Sequence, residues 1–178
     1  MKAPQRIETE RLILRSPTDA DAEAIFAGYA SDPEVTRYLG WPRHTLLDQT
    51  RGFLAFTHTQ WRTTPAGAYL IESRASGKLL GSTGFDFETP QRASTGYVLA
   101  RAAWGLGYAT EALRAVVALA PSIGLMRLQA YCHPEHRASA RILEKCGFAF
   151  EGRLRKHTVF PNLQPVQVHD ALLYAITW

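Results

Sequence analysis

Two hydrophobic periods alternate along this chain, one of two residues and one near 3.6, and together they divide it into strands and helices. Arg11 to Arg15, RLILR, reads as a first strand, and Ser16-Pro17-Thr18-Asp19 closes it. A helix then runs from about Asp19 to Ala30, with Thr18 and Asp21 spaced as in a capping box and Ala22, Ile25, Phe26 and Tyr29 on its apolar face. A loop containing Pro33, Trp41 and Pro42 leads to a second helix, about Leu46 to Arg62. Gly67 to Glu72 and Leu79 to Phe87 are strands around a Ser76-Gly77 turn, which predicts a hairpin, and Ser94 to Leu99 is the next strand. From Gly107 to Ala120 the apolar residues Ala109, Leu113, Val116, Val117 and Ala120 recur at helical spacing until Pro121 stops the run. Arg127 to Cys132 is again a strand. His133-Pro134-Glu135-His136 then turns into a helix from about Arg137 to Cys146, ended by Gly147 where a left-handed C-cap is favoured. Ala149 to Lys156 and Val168 to Thr177 are the last strands, around a loop with Pro161, Asn162 and Pro165. The series predicts an α+β fold, a mixed sheet with helices packed on it, with residues 1–178 in a single domain.

Composition narrows this picture. Hydrophobic residues make up 46% of the 178 and charged residues 20%, which excludes a disordered chain. A chain of this length buries roughly 70% of its unfolded surface, so one core suffices. The longest apolar runs, such as Ala115 to Ala120, are too short to span a bilayer, and MKAPQRIETERL has no apolar signal core, so a cytoplasmic protein is expected. Cys132 and Cys146 lack pairing or ligand spacing and read as buried free thiols, and no metal site is expected. The net charge of +4 is scattered, its densest cluster being Arg153, Arg155 and Lys156. A nucleic-acid surface concentrates its charge and interleaves aromatics, so none is expected as a partner; a small polyanion suits this field.

The chemistry concentrates in residues 101–112, RAAWGLGYATEA, where a Gly-x-Gly turn follows a strand and directly precedes a helix. Such a junction aims several unpaired backbone N–H groups and the positive end of a helix dipole at one point, which suits a phosphate. Glycine lets the phosphate approach the backbone and accepts the positive φ such turns often need. The plain alternative is a tight turn that holds nothing. No Lys-Ser or Lys-Thr follows Gly107, which excludes the NTPase loop, and the six-residue glycine pattern of dinucleotide folds is incomplete.

Gly96-Tyr97-Val98-Leu99 and Trp104-Gly105-Leu106-Gly107-Tyr108-Ala109-Thr110-Glu111-Ala112-Leu113 resemble the acyl-CoA loop of the GNAT superfamily of N-acetyltransferases. Residues 8–15, ETERLILR, and 141–148, RILEKCGF, are similar to the opening strand and closing helix of its ribosomal-protein N-terminal acetyltransferase (RimJ/RimL-like) branch. The resemblance implies a mostly antiparallel sheet with helices on both faces and splayed central strands, the pantetheine of acetyl-CoA lying between Val98-Leu99-Ala100 and residues 127–132. It also implies a pyrophosphate on the N–H groups of Gly105, Leu106, Gly107, Tyr108, Ala109 and Thr110, and a backbone N–H near Val98 or Leu99 polarising the thioester carbonyl. Ser139 matches the residue that donates a proton to the departing thiolate, with an ordinary helix serine as the alternative. The resemblance further implies that a primary amine, with a protein N-terminus among the candidates, attacks directly, without metal or covalent intermediate, in a monomer or homodimer.

Three positions depart from that family's pattern. Ala102 stands where Gln or Arg is common, with Arg101 one position early; His136 stands at the Asn of the cofactor-binding helix motif; Ser94 stands where relatives have Glu. Asp86, Glu88 and His133 are the nearby groups that could serve as base, directly or through water. Tyr38, Trp41 and Phe53 read as core. Three rival functions stay open: an acyl-CoA-binding module without catalysis, an acetyltransferase for a small amine such as an antibiotic or polyamine, and a nucleic-acid binder.

Overall fold

The computed structural model describes residues 1–178. Eight strands form one sheet: β1 Arg6–Glu8, β2 Leu12–Arg15, β3 Ala68–Ser73, β4 Leu79–Thr89, β5 Arg92–Leu99, β6 Arg127–Cys132, β7 Ala149–Val159 and β8 Val168–Thr177. Their spatial order is β1-β2-β3-β4-β5-β6-β8-β7, and every pairing is antiparallel except β5 with β6. That parallel pair needs a crossover, which α4, Tyr108–Leu119, supplies. No helix is long and apolar enough to cross a membrane.

The alternation along the central strands explains how the sheet is covered. Tyr69, Ile71 and Leu99 join the larger core, where Ala112, Leu113 and Val116 of α4 pack with Leu143 of α5, Arg137–Lys145. Leu70 and Val98 join a smaller core with Ile25, Tyr29, Val35 and Leu54. Successive residues of one strand therefore feed two cores, and helices cover both faces. Leu113 and Val116 are fully buried, each contributing about 1.5 to 3 kcal/mol of hydrophobic stabilisation.

The first helical stretch has a changing pitch: a 3-10 turn at Asp19–Asp21, an α turn at Ala22–Ile25 (α1) and a π turn at Phe26–Ala30. The wider π turn rotates Ala30 inward, so it is fully buried while Phe26 is only partly so, against the expected apolar face. Ser31 N–H closes the turn onto Phe26 O at 3.1 Å. The Thr18–Asp21 spacing does form a capping box, with Thr18 N–H donating to Asp21 Oδ2 at 2.7 Å. Besides 3-10 turns at Arg101–Ala103 and Ala120–Ile123, two elements were not expected: β1, and a short helix α2, Pro33–Thr36, where Pro33 had read as loop. Its signal was present in the sequence, because Asp32 is an N-cap accepting from Glu34 N–H at 2.8 Å, and Pro33 takes the first helical position. The second long helix, α3, spans Leu47–Thr63.

Candidate active site

β5 and β6 pair only through Arg92↔Arg127, Ala93↔Leu128 and Ser94↔Gln129, then separate. From Thr95 to Leu99, about 16 Å of strand at roughly 3.3 Å per residue, the edge of β5 facing β6 is open. Ala100 N–H donates to Leu80 O at 2.7 Å, so the two-residue alternation of an antiparallel ladder directs Val98 N–H to β4 and Leu99 N–H to the open edge. Leu99 O is held by the Trp104 indole N–H at 2.8 Å.

The Gly-x-Gly turn lies at the end of this gap. Gly105 has φ +75° and Gly107 φ +80°, the left-handed region that explains both glycines. Gly107 is the N-cap of α4. The N–H groups of Gly105, Leu106, Gly107, Tyr108, Ala109 and Thr110 donate to no acceptor in the protein; the next, Glu111 N–H, bonds Gly107 O at 3.1 Å. Six consecutive donors therefore stay free at the positive end of a helix dipole.

The segment before β2 braces this turn. Arg11 donates to Glu111 Oε2 at 2.7 Å and to Leu106 O at 2.9 Å, while Thr9 Oγ1 donates to Glu111 Oε1 at 2.6 Å. Burial alone would raise the Glu111 pKa, but the hydrogen bonds from Thr9 and Arg11 outweigh it and hold the carboxyl below its usual range. Sequence reasoning missed this brace, whose partners are about a hundred residues apart. Arg101, one position early for the family's pattern, pairs with Asp32 Oδ1 at 2.8 Å.

A cavity of about 570 Å³ opens through the gap to both sheet faces. On the α3 side it is walled by Tyr38, Trp41, Phe53, Phe56, Tyr131 and Phe160, three of which had read as core. Their signal was aromatic density in the loop and helix between Tyr38 and Phe56, but the remaining wall comes from β6 and from the loop after β7. Ser94 lines the cavity too, and Asp86 is its directly paired partner on β4. Paired antiparallel residues project to the same face, so a carboxylate stands beside Ser94 on the neighbouring strand. Asp86 Oδ1 accepts from Gln60 Nε2 at 3.3 Å.

The other two candidate bases are turned elsewhere. Glu88 is bound by Gln129 Nε2 at 2.6 Å and Arg92 Nε at 3.0 Å. His133 packs outside the cavity, its Nε2 3.5 Å from His169 Nδ1, its ring stacked on Tyr38. His136 does line the cavity, stacked on Tyr38 at 5.0 Å. Burial lowers its imidazole pKa and His133 adds to the effect, so it is neutral at neutral pH.

Ser139 occupies the first turn of α5, is 9% exposed and lines the cavity from the opposite sheet face. Its Oγ lies 2.9 Å from the Tyr97 hydroxyl. Cys132, also in the wall, is a free buried thiol, as its sequence context implied, and desolvation pushes its pKa up to about 11, so it is protonated at neutral pH. Cys146 is likewise free and buried.

A family model described as Acetyltransferase (GNAT) domain matches residues 11–149. The chain is 36% identical over 173 residues to the uncharacterized N-acetyltransferase YoaA of Bacillus subtilis (strain 168), covering 96% of this chain and 95% of that protein. Its fold superposes with a TM-score of 0.82 on a GNAT-family acetyltransferase from Bacillus anthracis, 28% identical, covering 97% of this chain and 98% of that one. It also superposes, with a TM-score of 0.83, on the ribosomal L7/L12 alpha-N-protein acetyltransferase RimL solved in complex with coenzyme A, covering 97% of each chain. At 22% identity, the last is a likeness of fold.

Proposed function

The chain belongs to the GNAT family of acetyl-CoA-dependent acyltransferases, and on that premise we propose that it acetylates a primary α-amine, that of a peptide or protein N-terminus, by direct attack in a ternary complex. The observation that carries this reading is the gap between β5 and β6, with six free N–H donors at one end and a carboxylate-bearing cavity on the far face. The Gly105–Thr110 donors receive the pyrophosphate of acetyl-CoA, and its extended arm pairs along the open edge of β5 as an added strand would. Acetyl-CoA supplies the activated acetyl group. Leu99 N–H, aimed into the gap, stabilises the oxyanion formed as the amine attacks. Ser139, on the other face, protonates the leaving thiolate.

Asp86 is the carboxylate of the acceptor side. It holds the incoming ammonium as its counter-charge, and water takes the proton that leaves before the neutral amine attacks, since Ser94 offers no base. Asp86→Asn should raise the KM for the amine about tenfold, as loss of a charge-assisted hydrogen bond does, with CoA affinity unchanged. An unchanged amine KM would remove Asp86 from the acceptor site.

The absence of an acidic side chain at Ser94 favours an acceptor that is already partly neutral. At pH 7.5 roughly a third of an α-amine, with pKa about 7.7 to 8.0, is neutral, against about 0.1% of a lysine side chain with pKa about 10.4. Peptides with a free N-terminus should therefore outperform N-blocked peptides carrying an internal lysine by at least about tenfold, and activity should rise between about pH 6.5 and 8.5 as the amine loses its proton. Side-by-side acetylation of the two peptide types decides it, since preference for the lysine peptide refutes the α-amine assignment. The aromatic wall supports a second reading, a small amine with a flat or apolar body, which the same assay separates by including such amines.

A further inference from the structure

We infer that Tyr97 is a positioning residue for Ser139, setting the direction in which the serine proton points and holding the charge left on Oγ when that proton leaves. This deepens the reading of Ser139 as proton donor and rests on it. The two residues are 42 positions apart and meet because β5 places Tyr97 on the sheet face that α5 covers. The Tyr97 hydroxyl lies 2.9 Å from Ser139 Oγ and 3.1 Å from Ser139 O. Both side chains line the cavity.

A phenol carries one proton and a serine hydroxyl one proton with two acceptor positions. This leaves two arrangements. In the first, Tyr97 donates to the carbonyl of Ser139 and accepts the serine proton, which is then withdrawn from the gap. In the second, Tyr97 donates to Oγ, and the serine proton is free to point into the gap. A thiolate developing there favours the second arrangement electrostatically. Tyr97 remains a donor throughout, because burial raises its pKa far above neutrality.

The proton balance follows from that geometry. As the C–S bond of the tetrahedral adduct breaks, its electron pair goes to sulfur, which takes the proton of Ser139. The pair left on Oγ accepts the Tyr97 O–H, and Tyr97 keeps its proton. The proton released by the amine on the opposite face returns to Oγ through water, so no further donor is consumed.

The test is a double-mutant cycle of Tyr97→Phe and Ser139→Ala, measuring kcat, the KM for acetyl-CoA, and CoA-induced thermal stabilisation. Tyr97→Phe removes one oxygen and no packing volume. It should lower kcat about tenfold, the worth of a hydrogen bond to a charged group, while KM and the CoA shift stay within about twofold. In the Ser139→Ala background it should have no further effect. Wild-type kcat in Tyr97→Phe beside a slow Ser139→Ala overturns this inference and spares the Ser139 reading. Wild-type kcat in Ser139→Ala overturns the Ser139 reading itself. Additive losses, or loss of CoA binding in Tyr97→Phe, overturn the coupling by showing that the phenol acts on its own or only holds α5 to the sheet. Should Tyr97→Phe fail to fold, 3-fluorotyrosine at position 97 keeps the hydroxyl and strengthens it as a donor; a measurable rise in kcat is then expected, and no change overturns the inference.

Discussion

Valine in place of Gly107 should leave a folded protein that no longer responds to CoA. In the native chain, CoA at a hundred times its dissociation constant should stabilise folding by about 2.7 kcal/mol. For a chain of this size that is a rise of roughly 5 to 10 °C in melting temperature. Gly107 stands at φ +80° in the middle of the six free donors, and a Cβ there would meet only the flexible end of Arg11, at 3.4 Å. The substitution therefore spares the core but strains the turn by about 1 to 3 kcal/mol and puts a branched side chain where phosphate must approach. The strain lowers the melting temperature with or without ligand, so the difference between the two scans is the measurement. Gly124→Val is the control: Gly124 has φ +88° with nothing within 4 Å, in the turn before β6, at the end of the sheet where β5 and β6 are still paired. It should cost similar stability and keep the full CoA shift. A full shift in Gly107→Val would remove the turn from the acyl-CoA site.

Alanine at Ser139 should lower turnover on the order of a hundredfold while leaving CoA affinity unchanged, the signature of a group that acts only as the thiolate leaves. The side chain is small and already in a helix, where alanine is the better helix former, so folding should not suffer. The measurement is kcat by free-thiol release, together with the CoA thermal shift. A thiol of pKa about 8.5 is a fair leaving group unaided, which bounds the effect from above. Wild-type turnover would assign Ser139 to the ordinary packing of α5.

These expectations draw on different levels of the molecule. The Gly-x-Gly turn was legible in the sequence because its chemistry is local: backbone dihedrals, free N–H groups and a helix start are set by neighbours within a few positions. The helical face of Ala109, Leu113, Val116 and Ala120, the left-handed stop at Gly147 (φ +88°) and the capping box at Thr18 were legible for the same reason. The π turn at Phe26–Ala30 was not, since hydrophobic spacing over one or two turns cannot separate a period of 3.6 from a locally wider one.

The sequence by itself determined the order of the longer elements, the left-handed glycines, the serine in the first turn of α5 and the lack of a carboxylate at Ser94. Only the tertiary structure decided what surrounds that serine and what stands beside Ser94. Asp86 reaches it through antiparallel register, Tyr97 meets Ser139 across the sheet face, and Arg11 grips Glu111 across the whole first half of the chain. The physical reason is that spacing along a chain selects the face a side chain takes, while strand register and the point at which β5 parts from β6 depend on how distant segments pack. A site assembled in that gap is therefore written in the sequence residue by residue, and its proximities are written only in the fold.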